Sequence, residues 1–132
     1  IDLRLELAES LPKALADDLQ VQLVVLYLIR NAIEAMSQMP EGSRQLTIHT
    51  FLTRADWLLV TIHDTGHGLS PEAAERLFQP FFTTKPGGMG LSLSVSRSII
   101  EAQGGQLWAT PNPEGGVSFH FTLPVYFTAY TA

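Results

Sequence analysis

Asp64-Thr65-Gly66-His67-Gly68 places a carboxylate directly ahead of two glycines. A carboxylate at the end of a buried strand can accept a hydrogen bond from an exocyclic amine such as that of adenine. Gly66 and Gly68 would let the backbone turn sharply and lie against a flat ring. The same residues also suit an ordinary turn after an edge strand. Further on, Gly87-Gly88-Met89-Gly90 opens into a helical run at Leu91, where free N–H groups and the helix dipole favour an anion such as a phosphate. Lys85 lies beside it, either as a cation for the terminal phosphate or simply solvated. Asn31 interrupts an otherwise apolar helical run and shares a helix face with Tyr27, Glu34 and Ala35. A buried amide left unpaired costs roughly 1–3 kcal/mol, so Asn31 needs a partner. That partner is either backbone or a hard cation such as Mg²⁺, which takes oxygen ligands and usually few of them from protein. Glu34, one turn on, could act on the same ion or on a bound water. An Asn, an Asp-x-Gly-x-Gly and a glycine-rich helix entry are together what a nucleoside triphosphate site needs.

These residues must be positioned by regular elements. Leu3, Leu5 and Leu7 alternate with Arg4 and Glu6, the period of a strand. Asp17, with Gln20 three residues on, reads as an N-cap and capping-box partner for a helix running to about Met36. Leu46 to Leu52 and Trp57 to Ile62 are rich in β-branched and aromatic residues and read as a hairpin. Ser70-Pro71-Glu72 predicts a short helix, with Ser as cap and Pro at its first position, ending near Phe78. Residues 83 to 90 have no periodicity and read as a mobile loop. Leu91 to Gln103 predicts a second long helix, stopped by Gly104-Gly105. Leu107 to Thr110 and Val117 to Leu123 close the chain as a second hairpin, the latter strand alternating apolar and polar residues. The fold class is therefore α/β: a two-layer sandwich with a mixed, mostly antiparallel five-stranded sheet and three helices on one face.

The chain has 132 residues, 45% of them hydrophobic and 16% charged, which suits one globular domain. A net charge of −5 without any Lys/Arg cluster speaks against nucleic acid or an acidic membrane as partner. The chain has no cysteine, so disulfides and thiolate metal sites are excluded, in keeping with a cytoplasmic location. No apolar run approaches the ~20 residues of a membrane span. The start at Ile1 reads as a fragment of a longer protein. No Gly-Lys-Ser/Thr follows the glycine cluster, so it is not a Walker A loop. The Asp-Thr-Gly triplet is shared with aspartic proteases, but His67 and Gly68 replace the usual small residue and their second glycine element is not evident.

Four segments in order carry a more specific resemblance. Leu28-Ile29-Arg30-Asn31-Ala32-Ile33-Glu34-Ala35 looks like an N box, and Asp64-Thr65-Gly66-His67-Gly68 like a G1 box. Leu77-Phe78-Gln79-Pro80-Phe81-Phe82-Thr83-Thr84-Lys85 looks like an F box, and Gly88-Met89-Gly90-Leu91 like a G2 box. Residues 1–125 thus resemble the catalytic and ATP-binding domain of sensor histidine kinases. The F box separates these from relatives such as gyrase, MutL and the anti-sigma serine kinases. Residues 126–132 form a tail with no assigned role.

The resemblance implies the Bergerat ATP-binding fold, with a left-handed crossover and Mg²⁺-ATP beneath a flexible lid. It implies catalytic roles for Asn31, Glu34 and Lys85, with Asn31 also the metal ligand. Nucleotide contacts fall to Asn31, Asp64, Gly66, Gly68, Thr84, Lys85, Gly88, Gly90, Leu91 and Ser92. The γ-phosphate would pass to a histidine on a separate dimerisation domain, and from there to a response regulator. None of His49, His63, His67 and His120 stands in a phospho-acceptor context, so this domain would bind ATP, monomeric and away from the membrane, without its own substrate. Three positions depart from the pattern. Tyr27 stands where an Asn is usual, Ser92 replaces a glycine at the helix start, and Gln103 replaces a frequent His. Those departures motivate a second reading, a degenerate nucleotide-binding module that signals without phosphotransfer. An anti-sigma-type serine kinase is a third.

Overall fold

The computed structural model describes residues 1–9, 11–53, 56–79 and 92–125. Its elements run β1 (Asp2–Leu7), α1 (Asp18–Met36), a 3₁₀ turn (Glu41–Ser43), β2 (Gln45–Leu52), β3 (Trp57–Asp64), α2 (Pro71–Arg76), α3 (Ser92–Ala102), β4 (Leu107–Pro111) and β5 (Val117–Pro124). The strands form one sheet in the order β1-β2-β3-β5-β4. β1 pairs parallel with β2, and the other pairs are antiparallel. The expected mixed five-stranded sheet with three helices is what the chain builds. The Pro40–Ser43 loop contains one 3₁₀ turn, and β3 runs two residues further than its apolar pattern, to Asp64.

The register explains the core. Ile48 faces Ile62, which in turn faces Phe119, so one side of the sheet presents an unbroken apolar row to the helices. Val24, Leu28, Ala32 and Met36 repeat at helical spacing along α1 and are fully buried against that row together with Ile100 of α3. Burying each large side chain of this kind contributes roughly 1.5–3 kcal/mol. By length and composition alone, α1 is apolar enough to cross a membrane, contrary to the sequence expectation. Its packed face makes it the central helix of the core instead.

Local chemistry fixes the helix ends. The Asp17 carboxylate accepts from the Gln20 N–H at 3.0 Å, as its capping position requires. Gln20 does not complete the box, however. The Asp17 N–H donates to Oε1 of Gln103, whose Nε2 donates to the Gln20 side chain at 3.3 Å. A residue 86 positions away thus does the work expected of a neighbour and ties the end of α3 to the start of α1. Ser70 caps α2 as expected, accepting from the Ala73 N–H at 3.1 Å.

Candidate nucleotide site

Asp64 is the last residue of β3 and is 1% exposed. Its Oδ1 accepts from two backbone N–H groups, Gly66 at 2.9 Å and Val117 at 3.1 Å. Its Oδ2 is buried and has no hydrogen-bond partner among the described residues. Burial pushes the Asp64 carboxyl above the usual carboxylate range, and the two N–H donors offset part of that rise. A carboxylate anchored through one oxygen, with the other buried and unsatisfied, fits a ligand N–H donor.

The glycines around it act by their lack of a side chain. A Cβ on Gly66 would lie 2.6 Å from the carbonyl oxygen of Ala35, so only glycine lets this turn touch the last turn of α1. The His67 N–H donates to that same carbonyl at 3.3 Å. The turn is therefore bound to the end of α1 four residues past Asn31. Gly68 has φ +79°, the left-handed region that glycine supplies at no steric cost. Thr65 of the triplet faces away from any ligand role. Its hydroxyl donates to the Ser43 carbonyl at 2.6 Å and accepts from the Gln45 N–H at 2.9 Å, which fastens the turn to the start of β2.

The other side of Asp64 is closed by the β4–β5 hairpin. Gly116 has φ +88°, and a Cβ there would lie 2.1 Å from the Asp64 carbonyl oxygen. Asn112 Nδ2 donates to that oxygen at 2.9 Å, and the Ser118 hydroxyl donates to Asn112 Oδ1 at 2.7 Å. Sequence reasoning missed Asn112, Gly116, the Val117 N–H and Ser118. The signal within reach was Gly115-Gly116 immediately before a strand, which marks a close backbone approach.

Asn31 lies half-buried on α1 and Glu34 is exposed one turn on; neither residue is without a partner. Tyr27 is half-buried a turn earlier on the same helix. Ser92 is the exposed first residue of α3, and its carbonyl accepts from the buried Ser96 hydroxyl at 2.7 Å. α1 and α3 pack against each other. The fold thus connects Asn31, Asp64, Gly66 and Gly68 through one helix end, and brings Ser92 to the helix beside it. Thr84, Lys85, Gly88, Gly90 and Leu91 lie outside the described residues, as do the tail 126–132 and the 83–90 loop expectation. No cluster of three or more His, Cys, Asp or Glu side chains able to hold a metal occurs among the described residues. A cation here would rest on few protein oxygens plus the ligand's own, which is how Mg²⁺ is usually held.

A five-stranded sheet under three helices, with a buried carboxylate cradled by glycine turns at a strand end, defines an ATP-binding domain of the histidine-kinase type. The family model for the histidine kinase-, DNA gyrase B-, and HSP90-like ATPase matches residues 16–126, and the chain belongs to that family. It is 46% identical over 124 residues to the sensor protein FixL of Bradyrhizobium diazoefficiens, which covers 94% of this chain and 24% of FixL. Against the sensor protein TdiS of Thauera aromatica it is 40% identical over 126 residues, covering 95% of this chain and 23% of TdiS. The chain therefore spans about a quarter of the length of these relatives. The nucleotide-free catalytic domain of histidine kinase ThkA superposes with a TM-score of 0.81 at 33% identity, over 94% of this chain and 78% of that one.

Proposed function

We propose that this domain binds Mg²⁺-ATP and donates the γ-phosphoryl group to a histidine on a separate helical dimerisation domain, within a two-component sensor kinase. The observation that carries the reading is the buried, unpartnered Oδ2 of Asp64. It would accept the exocyclic amine of adenine, while Gly66 and Gly68 leave room for the ring. Asn31 would offer its amide oxygen to the magnesium ion, with Glu34 beside it on the exposed side of α1. When bound, magnesium would neutralise charge developing on the phosphate oxygens. Lys85 and the amides from Gly88 to Ser92 would take the phosphates at the start of α3.

In the transfer an imidazole nitrogen forms a bond to the γ-phosphorus, the bond from phosphorus to the bridging oxygen breaks, and ADP leaves. The domain's own histidines do not suit the acceptor role. His49, His63 and His120 are locked in strands, and both ring nitrogens of His120 are held, by Thr61 at 2.9 Å and Thr110 at 2.8 Å. The acceptor would then come from elsewhere in the parent protein, with a response regulator receiving the phosphoryl group from it. ThkA has been solved in complex with the response regulator protein TrrA, which supports that partner class. Incubation of the domain with Mg²⁺-[γ-³²P]ATP and a separately supplied histidine-bearing dimerisation domain tests the proposal. Label on the supplied histidine is expected; label retained on the ATP-binding domain itself would refute it.

A further inference from the structure

Asp64 stands where the ladder between β3 and β5 ends, and its surroundings show how its carboxylate is aimed. The last ladder pair is His63 with Ser118. One step further, the Val117 N–H points at Asp64 but reaches carboxylate Oδ1, at 3.1 Å, rather than the backbone carbonyl. That carbonyl is served instead by the Asn112 side-chain N–H at 2.9 Å. The Asn112 amide is itself fixed, because its oxygen accepts from the Ser118 hydroxyl at 2.7 Å and its backbone N–H donates to the Gly116 carbonyl at 3.0 Å. An amide side chain thus replaces a backbone donor, and the N–H it replaces is free to hold the carboxylate. Gly116 is pressed so closely on Asp64 that a Cβ there would overlap its carbonyl.

We propose that Asn112 and Ser118 are positioning residues for adenine recognition: Ser118 orients Asn112, Asn112 takes the Asp64 carbonyl, and Val117 is thereby left to anchor Oδ1 so that Oδ2 faces the base. The proposal rests on the reading of Asp64 as the amine acceptor. Neither residue touches the nucleotide. Without the Asn112 donor, the Asp64 carbonyl competes for the Val117 N–H, the carboxylate loses one of its two anchors, and Oδ2 is no longer held in one place. The effect belongs to the base and is independent of magnesium and of the γ-phosphate.

The test is displacement of a fluorescent ADP analogue by ADP without magnesium, on the 132-residue chain, with thermal melts run in parallel. Asn112→Ala and Asn112→Asp both remove the donor and are expected to weaken ADP binding about three- to tenfold, the worth of one hydrogen bond. Asn112→Asp keeps the acceptor for Ser118, so it isolates the donated N–H. Ser118→Ala should weaken binding about two- to threefold, and Ser118→Thr, which keeps the hydroxyl, should restore it. In an Asp64→Asn background, Asn112→Ala should cause no further loss, because the residue acts only through Asp64. A lower melting temperature with unchanged ADP affinity, or a loss that adds fully to that of Asp64→Asn, would overturn the positioning role. If Asp64→Asn alone leaves affinity unchanged, the adenine-acceptor reading fails first and the relay fails with it. Should Asn112→Ala not fold, Ser118→Ala and its threonine rescue decide the matter.

Discussion

Asp64→Asn is the substitution that separates the cost of the site from its use. The asparagine oxygen can still accept from the Gly66 and Val117 N–H groups at the Oδ1 position, so the local turn should survive. The amide nitrogen then occupies the place of Oδ2, which is buried and unpartnered. Two N–H₂ groups, from the side chain and from adenine, would face each other with no acceptor between them. The loss is one hydrogen bond to a charged acceptor, roughly 1.5–3 kcal/mol, or about ten- to hundredfold in affinity. Calorimetric titration with ADP measures it. Stability should move the other way. Burial raises the Asp64 carboxyl above the usual carboxylate range, so the folded protein holds this proton more tightly than the unfolded chain does. The contribution of this group is most favourable below the unfolded value and is lost as pH rises through the folded one, above which the carboxylate is a buried charge. The asparagine variant carries no such charge and should be no less stable above that pH. Nucleotide binding by the native protein should weaken as pH falls through the raised carboxyl pKa, because a protonated Oδ2 is a poor acceptor, and the variant should lack that dependence. A folded Asp64→Asn protein that binds ADP with native affinity would refute the adenine contact.

Asn31→Ala is expected to abolish phosphotransfer to a supplied dimerisation domain while leaving magnesium-free ADP binding within about twofold, since no hydrogen bond to the base is lost; survival of magnesium-dependent ATP binding in that variant would show that the metal is held elsewhere. Gly66→Ala puts a Cβ 2.6 Å from the Ala35 carbonyl oxygen, so the turn must leave α1. It should cost about 1–3 kcal/mol of stability in a denaturant melt and weaken ADP binding about tenfold or more, the scale of one lost charge-assisted hydrogen bond. Thr65→Val strands the Ser43 carbonyl and the Gln45 N–H. It should lower the melting temperature by about 8 °C, from a loss of roughly 2 kcal/mol, with ADP affinity measured below the transition changing far less than in Gly66→Ala.

Local signals were legible wherever the physics is local. Strand alternation, the Ser70 and Asp17 caps, the hairpins and the glycine stop after α3 all depend on residues within a turn or two of one another, and the structure has them where the pattern puts them. The expected capping box shows the limit. Gln20 had the right spacing, but Gln103, brought by the packing of α3 on α1, takes the Asp17 N–H. Strand ends slipped for the same reason. The apolar pattern stops at Ile62, whereas pairing to β2 carries β3 to Asp64.

The sequence by itself determined which chemistry is present: the order of Asn31, Asp64-Thr65-Gly66-His67-Gly68, the phenylalanine-rich segment and the glycine cluster defines the family. The types of those residues also limit what they can do, since only glycine tolerates the approach of Ala35 and only a carboxylate offers two acceptors at one strand end. Tertiary structure alone decided how Asp64 is held. Beside the local Gly66 N–H, its anchors come from 53 residues further on at Val117 and 48 at Asn112. No pattern of short period can encode that meeting, because it exists only once β5 has paired with β3 and the hairpin has folded over the strand end.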